Sequence, residues 1–210
     1  MSDPPVEDTA ASTGEPTLYF ELLADHHDVA TFRCGATFLD WLLQHDAHLL
    51  ADADVNRTFV LAEREAAATE NGKTPIEGYF TLEAGVAPTA FVSLLPEDTL
   101  SALIAARDAF STPPPCRLSP LTEIPVVYLA YLARDRRNRG RGYGDLLLIE
   151  ALRQAELASR HIGAAGVFLV STGEGERLYT DYGFRPYGDY DRKMFLSMRA
   201  IREALALLTL

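Results

Sequence analysis

The stretch VVYLAYLARDRRNRGRGYGDLLLIEALRQAE, from Val126 to Glu156, decides the fold. Its first part, Val126 to Arg134, is rich in β-branched and aromatic residues and carries no charge before its last residue, which predicts a buried strand. From Gly142 onward the apolar residues recur at helical spacing. A strand is therefore followed by a helix, and the junction between them, Arg139 to Gly144, alternates glycine with larger residues.

This glycine-rich junction predicts a binding site for a pyrophosphate. Because glycine has no Cβ, the backbone N–H groups of such a loop can turn toward a ligand, and the helix adds its unpaired N–H groups and the positive end of its dipole. Two common phosphate-binding motifs do not fit. A P-loop needs Lys and then Ser or Thr after its last Gly, where this chain has Asp145 and Leu146. A dinucleotide-binding fingerprint needs a wider glycine spacing and an acidic residue after the next strand, and neither is present.

The remaining pattern is Arg or Gln, two residues, Gly, one residue, then Gly or Ala. It is similar to the acetyl-CoA pyrophosphate loop of the GNAT N-acetyltransferase superfamily, with Arg139, Gly142 and Gly144 at the matching positions. Downstream, a strand is predicted over Gly166 to Ser171 and a short helix over Glu174 to Tyr182. The segment LYTDYGF, which begins at Leu178, resembles a second GNAT signature at every apolar and glycine position.

The resemblance implies an α/β (α+β) fold with a central mixed, mostly antiparallel sheet of six to seven strands, flanked by helices and splayed at the acetyl-CoA cleft. It implies an acetyl-CoA-dependent N-acetyltransferase that transfers acetyl directly to a primary amine. The cofactor contacts that it implies are Leu132, Arg134, Arg139, Gly140, Arg141, Gly142, Tyr143 and Gly144. A catalytically silent GNAT domain that binds acetyl-CoA or a partner protein is the alternative.

Catalysis would need an acid and a base. Tyr179 stands where many GNAT proteins keep a tyrosine near the CoA sulfur, and a phenol can donate a proton at pH 7 because its reference pKa is about 10. No general base is evident, since the strand predicted over Val126 to Arg134, which leads into the glycine-rich loop, carries no carboxylate or His. Glu83, at the end of an earlier strand, is one candidate, and a water chain is another. His26 and His27 are predicted to lie on the surface.

The N-terminal half narrows the resemblance to the GNAT branch that includes toxins acetylating aminoacyl-tRNA. The matching segments, in order, are Phe32-x-Cys34-Gly35, Leu39-Asp40-Trp41-Leu42, Arg57 to Val60, Gly78 to Leu82, and Ile124 to Val127. Taken singly, each is a core pattern, so Cys34 and Trp41 are predicted to be packing residues. The two cysteines, Cys34 and Cys116, fit no metal spacing; reduced thiols and no metal site are expected.

The acceptor stays open between the α-amine of an aminoacyl-tRNA and a small-molecule or protein amine. The net charge of −11 disfavours tRNA, which normally meets a basic face. The charge is uneven, however: residues 1–130 hold 6 Lys or Arg against 20 Asp or Glu, whereas residues 131–210 hold 13 against 10. A phosphate-binding track is predicted from five basic residues near the C-terminus: Arg185, Arg192, Lys193, Arg199 and Arg202.

Composition predicts one domain over residues 17–210, preceded by a disordered tail over residues 1–16. An insertion is predicted at about 88–120, and it contains a helix over Pro96 to Phe110. No apolar run approaches the length of a membrane span, so a cytoplasmic protein without membrane contact is expected. An amphipathic helix is predicted over Met198 to Leu208, with Ile201, Leu205 and Leu208 on one face. The family and this helix point to a homodimer, and the resemblance to the toxin branch points to a toxin–antitoxin system.

Overall fold

A computed structural model describes residues 17–64, 66–88, 123–173, 175–187 and 192–208. The predicted N-terminal tail, the helix predicted over Pro96 to Phe110 and almost all of the predicted insertion lie outside these residues. Those predictions, and the single-domain boundary drawn around them, stay predictions.

The described residues form nine strands and five α-helices. In chain order they are β1 (Leu18–Leu22), β2 (His27–Asp28), α1 (Thr37–His45), α2 (Ala47–Asp52), β3 (Asn56–Glu63), β4 (Thr74–Pro75), β5 (Gly78–Pro88), β6 (Glu123–Arg134), α3 (Tyr143–Ile162), β7 (Gly166–Val170), α4 (Glu176–Asp181), β8 (Arg185–Pro186), β9 (Lys193–Ser197) and α5 (Met198–Leu207). The strand predicted from Val126 to Arg134 thus begins three residues earlier, at Glu123.

One mixed sheet organises these elements, with seven of the strands in the order β1-β3-β5-β6-β7-β9-β8. Neighbouring strands pair antiparallel except β6 and β7, which are parallel. That parallel pairing covers only two residue pairs, Val127 with Val167 and Tyr128 with Phe168. Beyond Tyr128 the two strands have no paired residues, so the sheet opens there. The predicted fold class and its splay are confirmed.

The two faces of the sheet are covered by different helices because successive residues of a strand point to opposite faces. On one face Leu61 and Phe80 pack with Leu147 and Leu148 of α3 and with Ile201 of α5. On the other face a second apolar cluster joins the sheet to α1 and the segment before it: Phe32, Leu43, Val60, Tyr79 and Ala133. The open part of the sheet between β6 and β7 therefore has α3 on one side and α1 on the other.

Three predictions about individual side chains are wrong. His27 was expected on the surface but is buried, with Nε2 at 2.9 Å from Glu21 Oε1 and Nδ1 accepting the Ala24 N–H at 3.0 Å. Burial lowers the pKa of His27. Trp41 was expected in the core but is 47% exposed. Leu208 follows the last residue of α5 and is exposed, whereas Ile201 is buried and Leu205 is partly buried.

Candidate active site

Asp135, the first residue after β6, holds the glycine-rich loop in place. Its buried carboxylate accepts hydrogen bonds from the Arg33 N–H at 3.0 Å, the Arg137 N–H at 2.9 Å and Arg137 Nε at 2.8 Å. Burial by itself would raise the pKa of Asp135, but these hydrogen bonds and the charge of Arg137 outweigh it and hold the pKa below its usual range. The end of β6 is thereby tied to the chain that enters α1.

Replacing Asp135 by Asn should lower the free energy of unfolding by about 2 kcal/mol, because charge-assisted hydrogen bonds are lost from a buried group. Since the folded-state pKa is depressed, the stabilisation is present above the unfolded-state pKa and is lost as the pH falls through the folded-state pKa. Urea titrations of both proteins between pH 7 and pH 3 should therefore show their stabilities converging in acid. Asp181→Asn, at a side chain 65% exposed, is the control and should change stability by less than about 0.5 kcal/mol. A constant difference at all pH values would contradict the assignment.

The loop opens onto the first turn of α3. A short 3-10 helix, Arg136–Asn138, leads to Gly140 and Gly142, whose φ angles of +83° and +74° lie in the left-handed region that glycine adopts without strain. Gly142 is the N-cap residue of α3, and its position leaves no side chain to cap the helix. The first N–H groups of α3, which begins at Tyr143, therefore stay available for an anion.

A cavity of about 1180 Å³ lies between this loop, the opened end of β6 and the segments around α1 and α4. Six of the eight residues predicted to bind the cofactor line it: Leu132, Arg134, Gly140, Gly142, Tyr143 and Gly144. Arg139 and Arg141 do not line the cavity; both lie exposed on the same loop. Neither belongs to an ion pair within the described residues, so their charges remain available to a ligand.

Tyr179 lies on α4, beside the cavity. Gly175 and Leu178, which precede it in the chain, belong to the cavity wall, although Tyr179 itself does not. Its ring meets that of Phe184 at 65° with the centroids 5.7 Å apart, and burial raises the pKa of the phenol to about 12. Among the described side chains only Asn56 has fully buried polar atoms without a partner, so the Tyr179 hydroxyl is not sealed off.

Sequence reasoning missed part of the wall. Cys34, Gly35, Ala36 and Leu39 line the cavity from the α1 side, and Thr172, Gly173 and Gly175 line it from the chain after β7. Burial first, and then Asp40, raises the pKa of the Cys34 thiol to about 11, so this thiol is neutral at pH 7 and a poor nucleophile. The glycine at position 35 is the one local sequence signal for this part of the wall. Its φ of +98° lies in the left-handed region, so the turn before α1 favours glycine.

Glu83, the candidate base, lies on the α1 face of the sheet. It pairs with Asn56 on β3 and with Tyr128 on β6, at the position where β6 and β7 begin to part. Burial, and then the Glu83 carboxylate, raises the pKa values of Tyr128 and Tyr131. The carboxylate is therefore near both phenols.

The predicted C-terminal track is partly neutralised by ion pairs. Arg202 donates from Nε to Glu156 Oε1 at 3.1 Å and from Nη2 to Ser159 Oγ at 3.2 Å, which ties α5 to α3. Arg199 pairs with Glu203 on its own helix. Arg202 therefore acts in packing α5 on α3, and Arg199 is paired within its own helix. Among the described arginines, Arg139 and Arg141 on the loop beside the cavity are the freer cations. No helix in the described ranges is long and apolar enough to span a membrane.

Comparisons with known proteins agree with this geometry. A probable toxin TacT from Sinorhizobium fredii is 30% identical over 204 residues, which span 93% of this chain and 99% of the relative. The chain belongs to the TacT toxins. No family model matches the chain. The predicted GNAT resemblance, its toxin branch and the acetyltransferase activity that goes with this family are thereby confirmed.

Two solved structures of toxins share the fold of this TacT family member. AtaT complexed with acetyl-methionyl-tRNAfMet superimposes with a TM-score of 0.70 at 23% identity, over 90% of this chain and 99% of that chain. AtaTR bound with AcCoA gives a TM-score of 0.67 at 22% identity, over 90% and 98% of the two chains. The overall fold of this chain is therefore shared with toxins of known structure.

Proposed function

We propose that this protein transfers the acetyl group of acetyl-CoA to the α-amino group of an aminoacyl-tRNA. The observation that carries the proposal is the opening between β6 and β7, which joins an anion-binding loop on one side to an aromatic, partly exposed surface of the α1 face on the other. AtaT, which shares the fold, has been seen with an acetylated aminoacyl-tRNA. Such an acceptor would place the reaction in the cytoplasm; an antitoxin and a homodimer stay predictions.

The cofactor would bind from the loop toward the opening. Its pyrophosphate would accept hydrogen bonds from the first N–H groups of α3, which begins at Tyr143, and would be attracted by the helix dipole. Arg139 and Arg141 would add charge-assisted contacts to the phosphates. The pantetheine arm contains two amide groups, which could pair with the free edge of β6. On that edge, Leu129 to Arg134 have no partner on β7.

Only a few groups would then take part in the proton transfers of the reaction. Tyr179, with a pKa of about 12, is protonated at neutral pH and would give its proton to the departing CoA thiolate. The attacking amine must be neutral, and an α-amine, with a reference pKa near 8, needs much less help than a lysine side chain near 10.4. Glu83 or water would take its proton. An aminoacyl α-amine therefore suits a site without a strong base.

The experiment is acetyl transfer from radiolabelled acetyl-CoA to bulk charged tRNA, with deacylated tRNA, free amino acid amides and short peptides in parallel. We expect label on charged tRNA alone, released together with the aminoacyl group by mild alkali. Label on amides or peptides with charged tRNA inert would overturn the proposed acceptor and leave the acetyltransferase assignment in place.

Replacing Arg139 by Ala should raise the KM for acetyl-CoA about tenfold and change kcat by less than about twofold. The reason is that an exposed, unpaired cation next to the N-terminus of α3 stabilises bound phosphate equally before and during the reaction. Initial rates over a range of acetyl-CoA concentrations measure both constants. Arg153→Ala is the matched control, because Arg153 lies on α3, 59% exposed and paired with Glu150. An equal change in the two variants would mean that Arg139 acts only through net charge.

A further inference from the structure

We propose that an exposed aromatic stripe on α1, formed by Phe38, Trp41 and His45, is the surface on which the unpaired 3′ nucleotides of the acceptor tRNA stack. The inference rests on the proposed function and goes beyond it, because it assigns a place on this chain to the end of the RNA. The stripe was not predicted from the sequence, where Trp41 was interpreted as a core residue.

The three side chains share one face of α1, since residues three and four apart on a helix are neighbours. Phe38 is 61% exposed and Trp41 is 47% exposed, whereas Leu42 and Leu43 on the adjoining face are buried. The core contribution of α1 is thus made by its leucines. Two large aromatic side chains left in solvent on one face are the kind of feature that marks a binding surface.

The stripe begins at the mouth of the cavity. Leu39, which follows Phe38 directly, lines the cavity, and the Phe38 ring lies 6.0 Å from that of Tyr131, next to the cavity-lining Leu132. The Tyr79 hydroxyl donates to the Leu39 carbonyl oxygen at 2.9 Å and fixes the height of α1 above the sheet. A ligand whose amine reached the opening from the α1 side would therefore pass over Phe38 and Trp41.

The chemistry of the stripe suits nucleobases. The His45 imidazole already stacks on the Trp41 indole, with the centroids 5.1 Å apart and the planes at 15°, so the stripe accepts flat rings in parallel. Bases of single-stranded RNA stack on aromatic side chains with little sequence preference, as an enzyme acting on the common 3′ end of tRNAs requires. Two exposed arginines could supply charge for the adjacent phosphates: Arg33 precedes α1 by four residues, and the Arg136 N–H donates to the Arg33 carbonyl oxygen at 2.8 Å.

A protein segment is the competing occupant. A docked amphipathic helix usually contacts several rows of side chains, following anchors at i, i+3, i+4 and i+7. Here the exposed aromatic row is one side chain wide, because Asp40 and Gln44 occupy the next positions around α1. The narrow row of rings matches a single stacked strand better.

Fluorescence gives a direct test, because Trp41 is the one tryptophan in the 210-residue chain. The full-length protein is titrated with a short RNA ending in CCA and with the same RNA lacking its last two bases but keeping every phosphate. We expect quenching of Trp41 by the intact RNA, with affinity falling about tenfold for the abasic RNA and for the Phe38→Ala protein. Equal quenching by the two RNAs would overturn stacking in favour of phosphate attraction, and an absence of quenching would overturn the site.

Kinetics give the second test. Trp41→Ala should raise the KM for charged tRNA about tenfold and leave the KM for acetyl-CoA unchanged, and Trp41→Phe should restore most of the lost affinity because it keeps an aromatic face. Leu49→Ala is the matched control for loss of exposed apolar surface, because Leu49 lies on α2 and its side chain is 67% exposed. It should leave both constants unchanged. An unchanged KM for charged tRNA in Trp41→Ala would contradict the assignment of the stripe to the tRNA end and would leave the proposed function in place. Failure of the unaltered protein to acetylate charged tRNA would sink the proposed function itself.

Discussion

Replacing Tyr179 by Phe should lower kcat for acetyl transfer by about 10²-fold to 10⁴-fold, the usual contribution of a general acid. The change removes one oxygen and keeps the ring, so the contact with Phe184 at 5.7 Å is retained and the fold should be unaffected. Affinity for acetyl-CoA should change by less than about twofold, because we propose that the phosphates bind to the loop and the first turn of α3, away from the phenol. Single-turnover rates and equilibrium binding of CoA separate the two quantities.

The pH dependence provides an independent check on the same residue. Because the pKa of Tyr179 is about 12, the phenol stays protonated through neutral and moderately alkaline pH. Activity of the unaltered protein should therefore rise as the acceptor amine loses its proton near pH 8 and then level off, without an alkaline fall attributable to the phenol.

Tyr19→Phe is the control for the Tyr179 experiment, since Tyr19 lies on β1 at the far edge of the sheet from the opening. It should leave kcat within about twofold. A Tyr179→Phe protein with unchanged kcat would show that another group, or water, protonates the thiolate, and the acetyl-transfer assignment itself would be unaffected by that result.

The parts of the fold that sequence predicts are those whose signals are local. The strand that ends at Arg134, the positive-φ glycines of the loop and the helix from Tyr143 are each encoded within a few residues, by side-chain type and by the conformational freedom of glycine. Their order along the chain was enough to place the glycine-rich loop at the opened end of the sheet.

The parts that escaped prediction depend on contacts between distant segments. Asp135 binds the Arg33 N–H across 102 positions in the sequence, and this bond brings Cys34 and its neighbours to the cavity wall. His27 is buried because Glu21 and Ala24 satisfy its ring nitrogens, which no property of histidine itself reveals. Trp41 is exposed because Leu42 and Leu43 already fill the space beneath α1. Hydrophobic pattern identifies which residues are apolar, but packing decides which of them are needed in the core.

The largest effect on stability is expected from Gly166→Ala. Gly166 begins β7 and pairs with Ser197 on β9. A Cβ at this position would overlap the carbonyl oxygen of Leu196 and lie 2.5 Å from Cζ of Phe195. The neighbour is backbone, so it can yield only if β9 moves away from β7. We expect the free energy of unfolding to fall by about 3 kcal/mol or more, as for overpacked core sites, with Tm lower by about 10 °C.

Two further glycines separate this steric effect from others. At Gly173 a Cβ would meet no atom within 4 Å and φ is not positive, so Gly173→Ala should leave stability within about 0.5 kcal/mol. Gly163 also has open space, but its φ of +71° makes alanine strained, at a cost of about 1 kcal/mol. Thermal and urea unfolding of the three variants should rank them Gly173, Gly163 and Gly166 in increasing loss. If Gly166→Ala were no worse than Gly163→Ala, β7 and β9 would lie farther apart than their pairing requires, and the wall of the cavity formed by the chain after β7 would have to be placed differently.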